Sequence, residues 1–527
     1  MVALEVRLGS CTAAASALAM RSTFAEGICG GPVNPIGLVK ASSACPTVAM
    51  LLGSVIGLFI GTLPGLGPAF ALTLFLPLTF NLSTATALIF LVSMYTAAVY
   101  GGAISAIVVN VPGHPGNIAT MYDGYPMAKQ GRAGEAIAAV GVAGAVGGMF
   151  SVIMLVFISP VVVDIALRIS PADYFMLAIF GLSMVAASAG KQVIQGVILG
   201  GLGFLFSTIG EDPITGSYRF TYGNNYLMSN GISFAVMVVG LFAIGSAFLM
   251  IEQLRKPQNW GESADISNDY WVGVKSVIRH PVEVIRASIV GVVMGIIPGL
   301  GIAISNIAAY IVETKFNPKA NWGKGNIVGV MAPEAADNAT LIAELVPAFT
   351  LGIPGAATSA LMLDAITVHG LQPGPSFFNG NPDSTAFFIA MFISQIVFAI
   401  LGILLARTLA KGAQVSQAIL APIIIVTGCV GAYAIHGSVY DIVLALVFGL
   451  VGYIILKLKY PLAPIVLGAI LGPLAEGNYR RAIIIEHATH HSPFFEPLPV
   501  ILGILSLLVF FVPLIGQFKG RNAVGVD

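Results

Sequence analysis

Long apolar runs separated by short polar segments dominate this chain from about residue 48 to residue 517. An apolar run of about 18 residues or more is long enough to cross a hydrocarbon core as a helix. No stretch between these runs is long enough to fold as a separate soluble domain. The pattern therefore predicts an all-α polytopic membrane protein.

One interrupted apolar segment occurs twice, as GLFIGTLPGLG at residues 57–67 and as GVVMGIIPGLG at residues 291–301. Each copy places a Gly-x-x-x-Gly pair before Pro-Gly-Leu-Gly, which breaks what would otherwise be one membrane helix. The glycine pairs favour close helix packing. Irregular backbone at membrane depth is tolerated only where protein or a water-filled cavity surrounds it. Two such copies therefore predict two repeats with a binding site between them.

The apolar pattern follows the same order in both halves. In the first half we predict apolar segments at 48–63, 69–80 and 84–111, a polar loop at 112–136, and spans at 137–160, 174–188, 193–209 and 232–251. In the second half we predict arms at 286–297 and 302–312, an acid-containing segment at 326–353, a matching loop at 354–380, and further spans to about 513.

These segments divide the chain into five parts. We predict an N-terminal extension or weak span at 1–45, a first membrane repeat at 46–252, a cytoplasmic linker at 253–285, a second repeat at 286–475, and a polar loop, last span and tail at 476–527.

Arm length predicts how the breaks are built. The arm at 286–297 would cover roughly 18 Å as a helix, which is short of the roughly 30 Å hydrocarbon core. Cations flank this break on both sides, which places both of its ends in the cytoplasm: Arg279, Arg286, Lys315, Lys319 and Lys324. We therefore predict a re-entrant hairpin at each Pro-Gly-Leu-Gly turn.

Cation placement also predicts how the halves are related. In the first half the loop, not the break, is followed by cations, Lys129 and Arg132. In the second half the break is rich in cations, and residues 370–384 contain no Lys or Arg. This exchange predicts two inverted repeats.

Composition supports the membrane interpretation. Charged residues make up 9% of the chain and hydrophobic residues 57%, and the mean hydropathy is +0.92. The formal net charge is zero, so no basic field for nucleic acid is present. The four cysteines, Cys11, Cys29, Cys45 and Cys429, show neither metal-ligand spacing nor a disulfide framework.

Several longer motifs occur in a fixed order: PGLGP at 64–68, YGG at 100–102, NVPG at 110–113, DGYPMA at 123–128, PGLG at 298–301, APEAADNA at 332–339, LGIPG at 351–355 and HGLQPGP at 369–375. Over about residues 48–515 they resemble the large membrane subunit of the tripartite tricarboxylate transporters. The chain departs from the family pattern at His114, Asp337 and Glu344.

The resemblance implies a transporter subunit in the lipid bilayer of the bacterial inner membrane. It implies import of a small di- or tricarboxylate, citrate-like in kind, driven by a cation gradient. Na⁺ is the candidate coupling ion, and no other cofactor is expected. The implied partners are a periplasmic solute-binding protein and a small membrane subunit.

Two sets of backbone and polar groups are candidates for binding the carboxylate. Half-helices that start after the breaks direct free N–H groups at an anion, which makes the turn residues Gly65, Leu66, Gly67, Gly299 and Gly301 candidates. The two loops add amide, hydroxyl and backbone groups at Asn110, Gly113, Asn117, Gly355, Thr358 and Ser359. Residues of these types are also common in turns, so a purely structural role stays open for the loop set.

Acids within a predicted span are functional candidates by default. Pro333 followed by Glu334 is typical of a helix start. At about 100° per residue, Glu334, Asp337 and Glu344 then share one face, with Asn338 beside it. We assign Asp337 and Asn338 as candidate ligands of the coupling cation.

Other polar residues have simpler interpretations. Asp123 and Asp364 fit helix caps. The sequence EHATHH at 486–491 has metal-like spacing, but a solvated loop is favoured.

Two other functions compete with active transport. A passive anion channel would need pore-lining rings from several copies, whereas two breaks in one chain can form a site. An intramembrane enzyme would need a catalytic signature such as His-Glu-x-x-His, which the sequence lacks. Saturable uptake against a gradient distinguishes a transporter from a channel.

Overall fold

The computed structural model describes residues 46–63, 65–188, 192–212, 214–254, 266, 269–297, 301–378, 382–412, 415 and 417–522. Several predictions fall outside the described residues: the N-terminal extension at 1–45, part of the linker at 253–285, and most of the second turn, including Gly299.

The first half is a series of helices with one small hairpin. Its elements are α1 (Pro46–Thr62), α2 (Pro68–Phe75, continued by a 3-10 turn at Leu76–Thr79), α3 (Thr84–Val109), a 3-10 turn at Pro115–Asn117, α4 (Ile118–Lys129), α5 (Ala133–Ala166), α6 (Pro171–Ser188), α7 (Val193–Ser207), β1 (Gly210–Glu211), β2 (Tyr218–Arg219), α8 (Asn225–Asn230) and α9 (Phe234–Gln253, π-helical at Val239–Ile244). The antiparallel hairpin pairs Gly210 with Arg219 and Glu211 with Tyr218.

The regular elements in the described residues of the second half are all helices. Its elements are α10 (Tyr270–Arg279), α11 (Pro281–Ile296), α12 (Gly301–Phe316), α13 (Val328–Ala343), α14 (Leu345–Leu351), α15 (Ala357–Val368), α16 (Pro375–Phe378), α17 (Pro382–Gly412), α18 (Gln417–His436), α19 (Val439–Lys457), α20 (Ala463–Thr489), a 3-10 turn at Pro493–Phe495 and α21 (Pro497–Asn522).

Within the described ranges, six helices are long and apolar enough to cross a membrane: α3, α5, α9, α17, α18 and α19. The prediction of a helical, multi-pass membrane protein is confirmed. Most of α3 is buried inside the protein, which makes it the central helix of the first half.

The polar segments at 112–136 and 354–380 are not the open loops that the sequence predicts. Each contains a helix, α4 in the first half and α15 in the second. Gly124 and Pro126 lower the helix propensity of α4 in water, but Ala119 and Met127 are buried. Tertiary packing therefore outweighs the local preference for a turn.

Two helix boundaries also differ from the prediction. Helix α11 begins at Pro281 rather than at residue 286; at roughly 24 Å it is still shorter than the hydrocarbon core. Helix α20 continues through residues 476–489, so Glu486 and His487 lie in its last turns and not in a loop. His490, with φ of 54°, ends the helix.

The first Gly-x-x-x-Gly pair packs α1 against α3. A Cβ atom added to Gly57 would lie 2.2 Å from the Met94 carbonyl oxygen, and one added to Gly61 would lie 2.0 Å from that of Ala98. Any side chain at these positions would separate the two helices. The packing interpretation of this pair is confirmed.

The second pair packs α11 against α13 in the same manner. An added Cβ at Gly291 would lie 2.3 Å from the Ala336 carbonyl oxygen, and one at Gly295 would lie 2.6 Å from that of Thr340. In each half the contacted carbonyls are four residues apart, like the glycines. Helix α13 is therefore the counterpart of α3.

The two halves pack on each other reciprocally. Helix α3 packs against α17 of the second half, and α13 packs against α5 of the first. Helix α2 contacts α15, and α12 contacts α4 and the Pro115–Asn117 turn. Each broken segment thus lies beside the loop of the opposite half.

Candidate functional site

The first broken turn leaves open space at its tip. Gly65 has φ of +79°, and a Cβ added there would meet nothing within 4 Å. Leu66 is buried with 1% exposure. Gly67 is the N-cap of α2, and a Cβ on it would lie 2.7 Å from the Cβ of His114. The turn is therefore open on one side and packed against the first loop on the other.

The second turn is described from Gly301 onward. Gly301 has φ of +65°, and an added Cβ would again meet nothing within 4 Å. Helix α12 starts at this residue. Gly301 thus has the left-handed backbone and the open space that Gly65 has in the first turn, although by its place in the motif it matches Gly67, whose φ is −79°.

Asn110 and Gly113 shape the start of the first loop. Asn110 adopts φ of 57° and ends α3, as Gly352 with φ of 69° ends α14. A turn role thus accounts for Asn110, whose side chain is exposed. A Cβ on Gly113 would lie 2.3 Å from the Gly102 Cα atom, so Gly113 permits the loop to touch α3.

His114 directs one ring nitrogen at the central helix of the other half. Its Nδ1 accepts a hydrogen bond of 3.1 Å from the Gly116 amide, which leaves the hydrogen of a neutral ring on Nε2. Nε2 lies 3.5 Å from Oδ2 of Asp337. Ala356 has nearly the same dihedral angles in the second loop, so the histidine is specific to the first loop.

Glu334 links the first loop to α13. Its Oε1 accepts hydrogen bonds of 3.0 Å from Asn117 Nδ2 and 2.5 Å from Thr120 Oγ1. Its Oε2 is buried and has no hydrogen-bond partner among the described residues. In this structure the amide of Asn117 binds Glu334.

Asp337 is the least satisfied acid of the group. Its exposure is 0%, and neither carboxylate oxygen has a hydrogen-bond partner among the described residues. A Cβ on Gly116 would lie 2.6 Å from Oδ1, so the loop backbone passes directly over the carboxylate. Asn338 Nδ2 donates to the Glu334 carbonyl oxygen at 3.0 Å, and its buried Oδ1 is unpartnered in the described chain.

Glu344 contacts the second loop. It is the residue between α13 and α14, and its Oε1 accepts hydrogen bonds of 2.7 Å from the Tyr95 hydroxyl and 2.5 Å from Thr358 Oγ1. Ser359 Oγ accepts from the Ala356 amide at 2.9 Å and therefore caps α15. The preceding Gly355 is buried.

No Lys or Arg side chain in the described ion pairs lies beside the three acids, and the ring that does approach one of them is His114, whose Nε2 faces Asp337. An ionised carboxylate removed from water without a counter-charge costs several kcal/mol. The acids Glu334, Asp337 and Glu344 therefore favour a bound cation or a proton.

This acidic site does not form a metal centre by side chains alone. No group of three His, Cys, Asp or Glu side chains in the described ranges is placed to hold a metal ion. A cation held by Asp337 and Asn338 would need backbone or substrate oxygens to complete its coordination. His487, His490 and His491 are exposed.

The sequence of the chain matches a family model over residues 48–467, that of the "Tripartite tricarboxylate transporter TctA family". The chain belongs to this TctA family. The resemblance seen in the sequence motifs is confirmed, and residues 468–527 lie outside the matched range.

Two similar proteins come from Agrobacterium vitis. One, described as "Uncharacterized 52.8 kDa protein in TAR-I ttuC' 3'region", is 31% identical over 489 residues, which are 92% of this TctA-family chain and 97% of that protein. The other, "Uncharacterized protein in TAR-II ttuC' 3'region", is 33% identical over 235 residues, 44% of this chain and 97% of that protein. No solved structure matches the chain.

The predicted helix start at Pro333 is wrong for this TctA-family chain. Helix α13 begins at Val328, and Pro333 lies inside it. Asp123 accepts hydrogen bonds from the Gly325 and Asn326 amides at 2.9 and 2.8 Å. A side chain from the other half therefore satisfies N–H groups before the helix and fixes an earlier start. Asp123 is not the cap that the sequence suggested: it lies inside α4, and the N-cap of α13, Ile327, makes no side-chain cap bond.

The acids of the predicted polar stripe contact two different loops. Helix α13 ends at Ala343, and the chain continues as α14. Glu334 and Asp337 consequently contact the first loop, whereas Glu344 contacts the second. The TctA-family site has two acidic parts on one central segment.

Sequence reasoning missed three polar residues of the site. Thr120 binds Glu334 and Tyr95 binds Glu344, and Asn306 Oδ1 accepts from the Ala119 amide at 2.9 Å. Asn306 is an isolated amide side chain in the apolar arm of the second break, and a polar residue in such a position could have been predicted to have a specific partner. Thr120 and Tyr95 carry no comparable signal, because their partners lie more than 200 positions away in the chain.

Proposed function

We propose that this chain is the large membrane subunit of a secondary active transporter. It imports a small di- or tricarboxylate across the bacterial inner membrane by symport with a cation, for which Na⁺ is the candidate. Membership of a transporter family supports the class of function. The observation that carries the mechanism is the buried Asp337 carboxylate, which has no hydrogen-bond partner among the described residues and lies against the first loop at Gly116.

The chemistry of the site makes substrate and cation depend on each other. N–H groups at the starts of α2 and α12 favour an anion, but the acids of α13 repel one. A cation at Asp337 and Asn338 removes this repulsion, so each ligand raises the affinity for the other. Such reciprocal coupling is the thermodynamic requirement for symport.

Two partner proteins complete the proposed function. The described chain consists of membrane helices and short connections, with no soluble domain to capture a dilute substrate. We propose that a periplasmic solute-binding protein delivers the carboxylate and that a small membrane subunit assembles with this chain. The proposed role is transport without a catalysed reaction.

We expect high-affinity uptake to require the binding protein. Vesicles that contain this chain and the small subunit should show saturable, cation-dependent uptake of a radiolabelled carboxylate at low concentration only when the binding protein is added. A carboxylate panel bound to that protein first identifies the substrate. Full-affinity uptake by this chain alone would contradict the tripartite arrangement, and uptake that never exceeds equilibration would favour a channel.

We also propose that the halves are inverted repeats with re-entrant breaks. Two features support this proposal: the reciprocal packing of the halves, and the placement of Lys and Arg beside the loop in the first half but beside the break in the second. Single cysteines at exposed Lys129 and Asn321 should then be labelled from the cytoplasm. A cysteine at Asn379, which lies outside the described residues, should be labelled from the periplasm, as should one at exposed Gln372. Labelling of Lys129 and Gln372 from the same side would exclude inversion.

A further inference from the structure

We propose that Glu344, with Tyr95 and Thr358, forms a proton-binding site separate from the Asp337 cation site. This inference rests on the proposed function and extends it, because the chain would then move a proton in addition to the cation. Glu344 is one of the two acids at which the chain departs from the family motif pattern, and its partners lie at the second loop.

The geometry leaves one oxygen of Glu344 free. The residue is 1% exposed. The hydroxyls of Tyr95 and Thr358 both approach Oε1, at 2.7 and 2.5 Å. Oε2 is buried without a hydrogen-bond partner in the described part of the chain. Two donors therefore serve the same oxygen, and the other oxygen is available to a ligand.

A proton suits Oε2 better than a metal ion does. A proton bonds to a single oxygen, whereas a metal ion needs several oxygens arranged around it. Among the described residues no second acid is hydrogen-bonded to Glu344, and its donors are the Tyr95 and Thr358 hydroxyls and the Ser359 backbone amide. In the balanced step, a hydronium ion transfers a proton to Oε2: one O–H bond of the hydronium breaks, an O–H bond forms on Oε2, a water molecule is released, and the carboxylate becomes neutral.

The electrostatic surroundings of Glu344 are also simple. The ionisable groups that interact with it are Tyr95 from α3 and Asp337 from α13. Other ionisable side chains on α13 and on the elements packed around α13 and α14 form no hydrogen bond or ion pair in the described residues with Glu344, whose side-chain partners are Tyr95 and Thr358: Tyr100, His114, Tyr122, Asp123, Tyr125, Lys129, Glu135, Asp164, Glu283, Arg286, Tyr310, Glu313, Lys315, Glu334 and Asp364. Within the described residues, no Lys or Arg side chain is paired with Glu344.

Protonation would change how the second loop is held. A hydrogen bond to an ionised carboxylate is roughly twice as strong as one between neutral groups. Loss of the charge on Glu344 therefore weakens the Thr358 contact that holds the start of α15 against the end of α13. The proton state of Glu344 thereby controls the loop beside the broken segment of the first half.

The decisive measurement needs no transport. Infrared difference spectra of the purified chain between low and high pH should contain a protonated-carboxyl band that disappears in Glu344→Gln. Glu313→Gln is the matched control, because Glu313 is a buried acid paired with Arg286, and it should retain the band. Thr358→Val removes one donor to the ionised form, so the midpoint of the band should move to higher pH. A band that is unchanged in Glu344→Gln overturns the proposal.

Transport by the full complex supplies the second measurement. Wild-type uptake should vary with pH, and Glu344→Gln should flatten that profile while the sodium concentration for half-maximal uptake stays within about twofold of wild type. A sodium shift of tenfold or more with an unchanged pH profile would make Glu344 a sodium ligand and overturn the proton assignment. If the complex transports no carboxylate, the proposed function fails, while the infrared band still tests Glu344.

Discussion

Replacing Asp337 with asparagine should raise the cation concentration needed for half-maximal carboxylate uptake by about tenfold or more. Asp337 is fully buried, and neither oxygen has a hydrogen-bond partner within the described residues. Its charge is therefore available to a bound cation, and the substitution removes a direct charge–charge attraction. A loss of about 1.4 kcal/mol suffices for tenfold. Uptake measured against sodium concentration at saturating carboxylate checks the shift.

Asp441→Asn is the matched control for this substitution. Asp441 is also a fully buried aspartate, but its carboxylate is bonded to Tyr226 and His436. It should leave the sodium dependence as in wild type. Carboxylate recognition in Asp337→Asn should recover at saturating sodium, because backbone N–H groups carry it. Normal sodium dependence in Asp337→Asn would remove Asp337 from the mechanism and leave the turn carbonyls as ligands.

Replacing Gly65 with valine should abolish uptake while the protein still inserts in the membrane. The φ of +79° at Gly65 is a conformation that a β-branched residue avoids. The space around it is open, so the effect comes from backbone strain at the turn and not from a clash. Cell-surface and expression assays establish insertion, and vesicle uptake gives the loss.

Gly65→Asn separates strain from side-chain bulk, because asparagine tolerates the left-handed region. It should retain a measurable fraction of wild-type uptake. In the second turn, Gly301, whose φ is +65°, allows variants of the same kind, and bulky replacement of Gly299, the counterpart of Gly65 in the motif, should also abolish uptake. Equal activity of Gly65→Val and wild type would mean that transport does not need the left-handed backbone at Gly65.

The sequence predicts the parts of this fold that depend on composition along the chain. Membrane helices follow from apolar length, because hydrocarbon requires internal hydrogen bonding. The glycine pairs and the repeated breaks can also be identified in the sequence. In both halves the glycine pair packs one helix closely against another, as the repeated motif predicts. Gly57 and Gly291 contact equivalent carbonyls because the same motif meets the corresponding helix in each half, α3 and α13.

The rest depends on contacts between distant residues, which a single sequence does not display. Helix α4 exists despite Gly124 and Pro126 because its buried face packs and Asp123 is held by the other half. The start of α13 moves away from Pro333 for the same reason. The sequence alone identifies the acids as candidates. It does not show that Glu334 and Glu344 bind different loops, because their partners are distant in the chain or separated from them by a helix end.

Asp123 also limits how this molecule can move. Its carboxylate accepts hydrogen bonds from the Gly325 and Asn326 amides and, at 2.9 Å, from the Tyr310 hydroxyl. Three hydrogen bonds from the second half therefore fix one side chain of the first. Helix α4 and the start of α13 must therefore travel as one rigid body. A conformational change that opens the site first to one face of the membrane and then to the other must therefore bend the chain at other positions. Gly65 and Gly301 are such positions, because the space around them is open.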